Sequence, residues 1–120
     1  MTFNVEVVLK GRDFAVTEAV TTGHGEPASW DDAAVRDVLV QILRAIERVE
    51  NPHAPPDRSV VLRGFSWIVE PNDADVVIAI EIPMGAAVAG PFSIDQAKLD
   101  AMIARVLQIE RQITTPQTIH

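Results

Sequence analysis

The sequence predicts an α+β domain: a two-layer sandwich in which a four-stranded antiparallel sheet carries two helices on one face. Three observations support this fold: a long amphipathic segment at residues 29–50, several short segments of alternating apolar and polar residues, and a second helical segment near the carboxyl end. The elements follow in the order ββα-ββα. This repeated order suggests an internal duplication, which residue matches between the halves support only weakly.

The longest regular segment is the helix predicted for residues 29–50. Ser29 stands before Asp31 and Asp32, and a serine N-cap with carboxylates in the first turn favours a helix start there. Pro52 ends the helix, because proline disfavours helical backbone in the residue before it. The apolar positions recur at intervals of three and four, which places them along one side: Val35, Val38, Leu39, Ile42, Leu43, Ile46 and Val49.

The first two strands are predicted at residues 3–10 and 14–21, where apolar and polar residues alternate. Gly11 lies between them and favours a tight hairpin, because glycine tolerates a positive φ. Residues 58–70 and 74–82 are predicted as the next two strands, and Gly64 suggests a bend in the former. The small-residue segment 83–91 is predicted as a loop, and Ser93 as the cap of a second helix that ends near residue 112.

Three prolines in residues 51–57 predict a stiff linker between two halves, 1–50 and 58–113, of a single domain spanning residues 1–120. Residues 114–120 are expected to form a frayed tail. The chain has no cysteine, which excludes disulfides and thiolate chemistry, and no apolar segment is long enough for a membrane helix. We therefore expect a cytoplasmic protein that does not bind a membrane. The formal net charge of −7 further predicts that it does not bind nucleic acid, whose phosphates attract basic surfaces.

Apolar residues make up 48% of the chain, which is high for a two-layer domain. The sheet face that the helices leave free is predicted to be apolar enough to need cover. We therefore interpret the chain first as a small interaction or assembly protein that works as a homodimer or larger homo-oligomer, with another protein as a further partner. The candidate interface residues are Val8, Ala15, Ala19, Val77 and Ala79.

The alternative is a small-molecule-binding domain, or an enzyme, with a pocket between sheet and helices. Residues 83–92 would form its lid, and a carboxylate or histidine its polar group. The sequence shows no catalytic constellation and no histidine spacing typical of a metal site, so neither metal nor cofactor is predicted. The candidate ligand-binding residues are Glu18, His24, Trp30, Phe65, Trp67 and Met84.

Overall fold

The structure is a computed structural model, and it describes residues 1–55 and 59–114. These residues form an antiparallel sheet with helices packed on one face, which confirms the predicted α+β architecture. Residues along β1 alternate between exposed and buried, as expected where one face is covered. The elements are β1 (Thr2–Leu9), β2 (Val16–Thr21), a short 3-10 helix (Pro27–Ser29), α1 (Asp32–Glu50), β3 (Ser66–Asn72), β4 (Asp75–Ile82), β5 (Gly85–Phe92) and α2 (Gln96–Thr114).

Within the described residues the sheet has five strands, not the predicted four, in the order β2-β1-β5-β4-β3. The additional strand, β5, covers most of residues 83–91, so the predicted loop and the predicted lid at 83–92 are wrong. The prediction failed because glycine, alanine and proline have low strand propensity. The fold uses small residues here because Ala87 and Ala89 face the helices and are 2% and 0% exposed.

Two glycines determine the path of β5. A Cβ atom on Gly85 would lie 2.3 Å from the carbonyl oxygen of Val8, so only glycine fits where β5 begins beside β1. Gly90 has a φ of +124° and lies near a register shift between β4 and β5. The extra residue of β5 forms a β-bulge there, which accommodates Pro91 in an interior strand where it would otherwise lack a ladder hydrogen bond.

Strand β5 also changes the order of elements along the chain. The predicted hairpin of β1 and β2 is present, but the second half contributes three strands before its helix. The order is therefore ββα-βββα rather than ββα-ββα. β5 pairs with β1 on one side and with β4 on the other, so it joins the two halves into one sheet. The internal duplication stays a prediction.

Helix α1 begins at Asp32, three residues after the predicted start. Ser29 is not its N-cap, because Ser29 lies in the 3-10 helix and its hydroxyl donates to the Glu26 carbonyl oxygen at 2.8 Å. The N-cap is Asp31, whose carboxylate accepts a hydrogen bond from the Ala34 amide at 2.9 Å. The Asp31 carboxylate thus satisfies one of the free amides of the first turn.

Helix α2 shows the same displacement of its start. Ser93 was expected to cap it, but the helix begins at Gln96. The Asp95 carboxylate accepts a hydrogen bond from the Lys98 amide at 3.0 Å, which places Asp95 in the capping role. In each helix an aspartate two residues after the predicted serine provides the cap.

The hydrophobic core lies between the helices and the sheet. The predicted stripe of α1 is confirmed, because six of its seven residues are buried and Leu43 is partly buried against the core. Phe92, at the end of β5, is fully buried, and its ring meets the rings of Phe3 and Trp30 edge to face with centroids 5.1 Å apart in both pairs. This aromatic group connects β1, β5 and the segment before α1.

The segment between α1 and β3 departs from the predicted strand at residues 58–70. β3 begins only at Ser66, and residues 59–65 have no regular secondary structure. Gly64 has a φ of +80°, which agrees with the predicted bend. Residues 56–58, which include part of the predicted linker, and the predicted tail at 115–120, including His120, lie outside the described residues.

The contact between Gly85 and β1 gives a direct test of the five-stranded sheet. We expect Gly85→Ala to lower the free energy of unfolding by about 1–3 kcal/mol or more, because the added Cβ would overlap backbone atoms that have little room to move. Chemical denaturation measures this change. Gly23→Ala is the matched control, since a Cβ there meets no atom within 4 Å. Equal stability of the two variants would contradict the β1–β5 contact.

Candidate functional site

The sheet face opposite the helices carries a row of apolar side chains. Across the strands, Val88 of β5 lies opposite Ala79 of β4, and Ala79 lies opposite Ile68 of β3. Val88 is 44% exposed and Ile68 is 53% exposed. We call this surface the open face. Its apolar members are Val8, Ile68, Val77, Ala79, Ala86 and Val88.

Four of the five predicted interface residues lie on the same side of the sheet as the open face. Val8, Val77 and Ala79 belong to it, and the exposed Ala19 lies on β2 at the edge of the sheet. Ala15 precedes β2 and lies outside the strands. Their role in an interface stays a prediction.

Sequence reasoning missed two prominent members of this surface. Val88 was missed because β5 was predicted as a loop. Ile68 was missed because the bend at Gly64 left the register of the long β-prone segment open. In the structure, Trp67 and Val69 face the helices, so alternation along β3 places Ile68 on the free side.

Carboxylates border the apolar row. Glu6 of β1 lies opposite Val88, and Glu81 of β4 lies opposite Ala86, and both carboxylates are exposed. Burying an unpaired carboxylate is costly, so these residues limit the apolar surface that another molecule could cover. The open face is therefore apolar along the row of Val88, Ala79 and Ile68, with Glu6 at one end of that row and Glu81 beside Ala79 on the interior strand β4.

A second surface feature is a groove between α2 and the start of β3, with a volume of about 290 Å³. Phe65 and Trp67, two predicted ligand-binding residues, both line it. The indole of Trp67 points to the helical side of the sheet, since the next residue on that side, Val69, is buried in the core. The remaining lining includes Leu62, Leu107, Arg63 and Arg111.

The other four predicted ligand-binding residues do not line this groove. Trp30 is buried in the core, and its indole nitrogen donates to the Gly25 carbonyl oxygen at 3.0 Å. Met84 lies in the turn between β4 and β5 and is 51% exposed. The Glu18 carboxylate accepts a hydrogen bond from Arg48 Nε at 2.9 Å. The structure thus brings Phe65 and Trp67 together and places the others elsewhere.

His24 contacts a carboxylate of α1. Its Nε2 lies 3.2 Å from Asp37 Oδ2, and both side chains are partly exposed. Gln41 Nε2 lies 3.4 Å from the other oxygen of Asp37. A His–Asp contact of this kind can orient an imidazole for proton transfer. For metal binding, residues 1–55 and 59–114 contain no group of three or more His, Cys, Asp or Glu side chains that could hold an ion.

Ion pairs join the two helices on their outer side. Arg105 donates two hydrogen bonds to Asp32, at 3.0 and 2.9 Å, and Arg36 pairs with Glu110. The hydrogen bond from Arg105, aided by its positive charge, holds the pKa of Asp32 below the ordinary value of 3.8, although partial desolvation opposes this. The same contact raises the pKa of Arg105, which stays charged.

The lowered pKa of Asp32 has a defined consequence at acid pH. Its ion pair stabilises the fold above pH 3.8, and the contribution is lost as the pH falls through the lowered folded-state pKa. We expect Arg105→Ala to move the pKa of Asp32 back toward 3.8, as measured by NMR titration of the side-chain carboxyl. Arg12→Ala removes the same charge elsewhere and should leave it unchanged. An unaltered midpoint in Arg105→Ala would contradict the assigned cause.

Comparison of the chain with family models, curated proteins and solved structures found no significant match. Among the described residues, we find no helix with the length and apolarity that a bilayer crossing demands. Function must therefore be inferred from the chemistry of the open face and the groove.

Proposed function

We propose that this chain is a small cytoplasmic assembly protein that works as a homo-oligomer through the open face of its sheet. The observation that carries the proposal is the apolar row of Val88, Ala79 and Ile68, which crosses three neighbouring strands without cover from either helix. A contiguous exposed apolar surface that is bordered by polar residues is typical of a protein–protein interface.

A second copy of the chain is the occupant that suits this surface. In a twofold pair the same patch covers itself, so an apolar row meets an apolar row without any need for complementary charge. Two sheet faces pack about 10 Å apart when their side chains interdigitate. Val8 and Val88 stand out from the sheet, at 42% and 44% exposure, next to the smaller Ala79 and Ala86. This alternation of large and small side chains favours interdigitation.

The edges of the sheet favour association through the face rather than through strand pairing. The edge strand β3 contains Pro71, which has no amide to donate, and the exposed Glu70 beside it. The other edge strand, β2, spans only six residues. Both features are typical of edges that resist pairing with another chain, whereas the open face lies on the interior strands β1, β5 and β4 as well as on β3.

The decisive variant places a charge in the middle of the open face. We expect the wild-type chain to be a dimer or larger assembly by light scattering across a dilution series. Val88→Asp should weaken association by about thirtyfold or more, because an unpaired carboxylate in an apolar interface costs at least about 2 kcal/mol. Val88 is already 44% exposed, so the monomer should keep its fold, as checked by circular dichroism and thermal unfolding.

Val61→Asp is the matched control. Val61 is the same residue type at similar exposure, 50%, but it lies before β3, near Leu43 and Ile46 of α1. This variant should keep the assembly. A wild-type chain that is monomeric at every concentration, or a Val88→Asp variant that keeps its full oligomeric mass, would refute the proposal.

A further inference from the structure

We propose that the groove between α2 and the start of β3 is a binding site for a small monocarboxylate with an apolar body, such as a short fatty acid or an arylalkanoic acid. This site lies on the helical side of the sheet, away from the open face. The inference goes beyond the proposed assembly function and does not depend on it.

The walls of the groove supply the apolar contact. Phe65 and Trp67 are partly exposed along one side, Leu107 of α2 is partly exposed on the other, and Leu62 is buried beneath them. Aromatic side chains that stay accessible beside a concave apolar surface are typical of small-molecule sites. At about 290 Å³ the volume is near the lower limit for such sites, so it suits a short acyl or single-ring ligand.

Two guanidinium groups supply the charge. Arg63 precedes Phe65 in the segment before β3, Arg111 lies in the last turn of α2, and both line the groove. Within residues 1–55 and 59–114 neither arginine forms an ion pair, and no carboxylate lines the groove. Arg36, Arg48 and Arg105 are paired with carboxylates, whereas Arg12 and Arg44, like the two groove arginines, form no ion pair among the described residues.

This arrangement is unusual for such an acidic chain. Asp and Glu outnumber Lys and Arg by seventeen to ten, yet among the described residues the two charged side chains that line the groove are both cationic. The planar guanidinium group matches a carboxylate in geometry and binds it through charge-assisted hydrogen bonds. A ligand with one carboxylate and an apolar body would use both parts of the lining at once. A cationic ligand would be repelled, and a neutral one would leave the guanidinium groups unused.

The two tryptophans of the chain provide a local reporter and an internal control. Trp67 lines the groove, whereas the Trp30 indole is buried and donates to the Gly25 carbonyl oxygen. Octanoate and 3-phenylpropionate are suitable probes, and 1-octanol and 3-phenylpropanol are their neutral counterparts. In two-dimensional ¹H–¹⁵N spectra, we expect each acid to shift the Trp67 indole signal saturably and to leave the Trp30 signal in place. Trp67→Phe identifies the two signals.

Removal of the charges tests the chemical class of the ligand. We expect Arg63→Gln and Arg111→Gln each to weaken binding of both acids, and the double variant to weaken it by about tenfold or more. The alcohols should bind the wild-type chain about tenfold more weakly than the acids and should be insensitive to these changes. Arg12→Gln, which removes an exposed arginine in the turn after β1, should bind the acids as the wild type does.

Three results would overturn the inference. The first is equal affinity for acid and alcohol, which would leave an apolar site without the proposed selectivity. The second is full affinity for octanoate in the double variant. The third is the absence of any shift of the Trp67 signal up to the solubility limit of the probes. Val88→Asp should bind the acids normally, so failure of the assembly proposal and failure of this inference can be told apart.

Discussion

The close approach of β5 to β1 is the constraint on which the rest of the fold depends. β5 pairs with a strand from each half of the chain, so without it the sheet would divide into two hairpins. At Gly85 the two backbones leave no room for a Cβ, and at Ala87 and Ala89 the strand leaves only a methyl group beneath the helices. Larger side chains would separate the strands or lift the helices from the sheet. The aromatic group around Phe92 and the spacing of the apolar row on the open face both depend on this strand.

The parts of the fold that follow from periodicity could be predicted from the sequence. The apolar stripe of α1 and the alternation in β1 and β4 were recognised, because burial of one side dictates residue type along those elements. β5 could not be recognised in this way, because close packing against β1 and the helices selects its small residues, and small residues have low strand propensity. The helix starts were misplaced because serine and aspartate are equally good caps, and only the tertiary path selects Asp31 and Asp95. Of the candidate ligand-binding residues, Phe65 and Trp67 line one groove, whereas Trp30 is buried in the core, and no local sequence pattern distinguishes the two cases.

Charge is distributed unevenly over the molecule, and this has structural consequences. On the helical side, Asp32 of α1 pairs with Arg105 of α2, and Glu110 of α2 pairs with Arg36 of α1. Each carboxylate is therefore attracted to the neighbouring helix. Exposed ion pairs such as Asp32–Arg105 contribute little individually to stability, whereas the Glu110 carboxylate of the second pair is largely buried. On the open face, Glu6 and Glu81 have no comparable role and simply border the apolar row. Among the described residues, Arg63 and Arg111 at the groove between α2 and β3 form no ion pair, so their charge is available to a ligand.

The widths of the two layers explain why the open face and the groove occur together. Five strands spaced about 4.8 Å apart make a sheet roughly 24 Å wide. Two helices packed about 10 Å apart cover roughly 20 Å of this width. Both helices are therefore needed to cover one face of the sheet, and no helix is left for the opposite face. The small shortfall falls at one edge, where β3 begins beside α2 and the side chains of Phe65 and Trp67 stay partly exposed. Both helices lie on one side of the sheet, which leaves the opposite face uncovered, and the fifth strand leaves one edge of the helical side incompletely covered. The uncovered face is broad enough for the second copy of the chain that we propose, whereas the groove has room only for a small molecule.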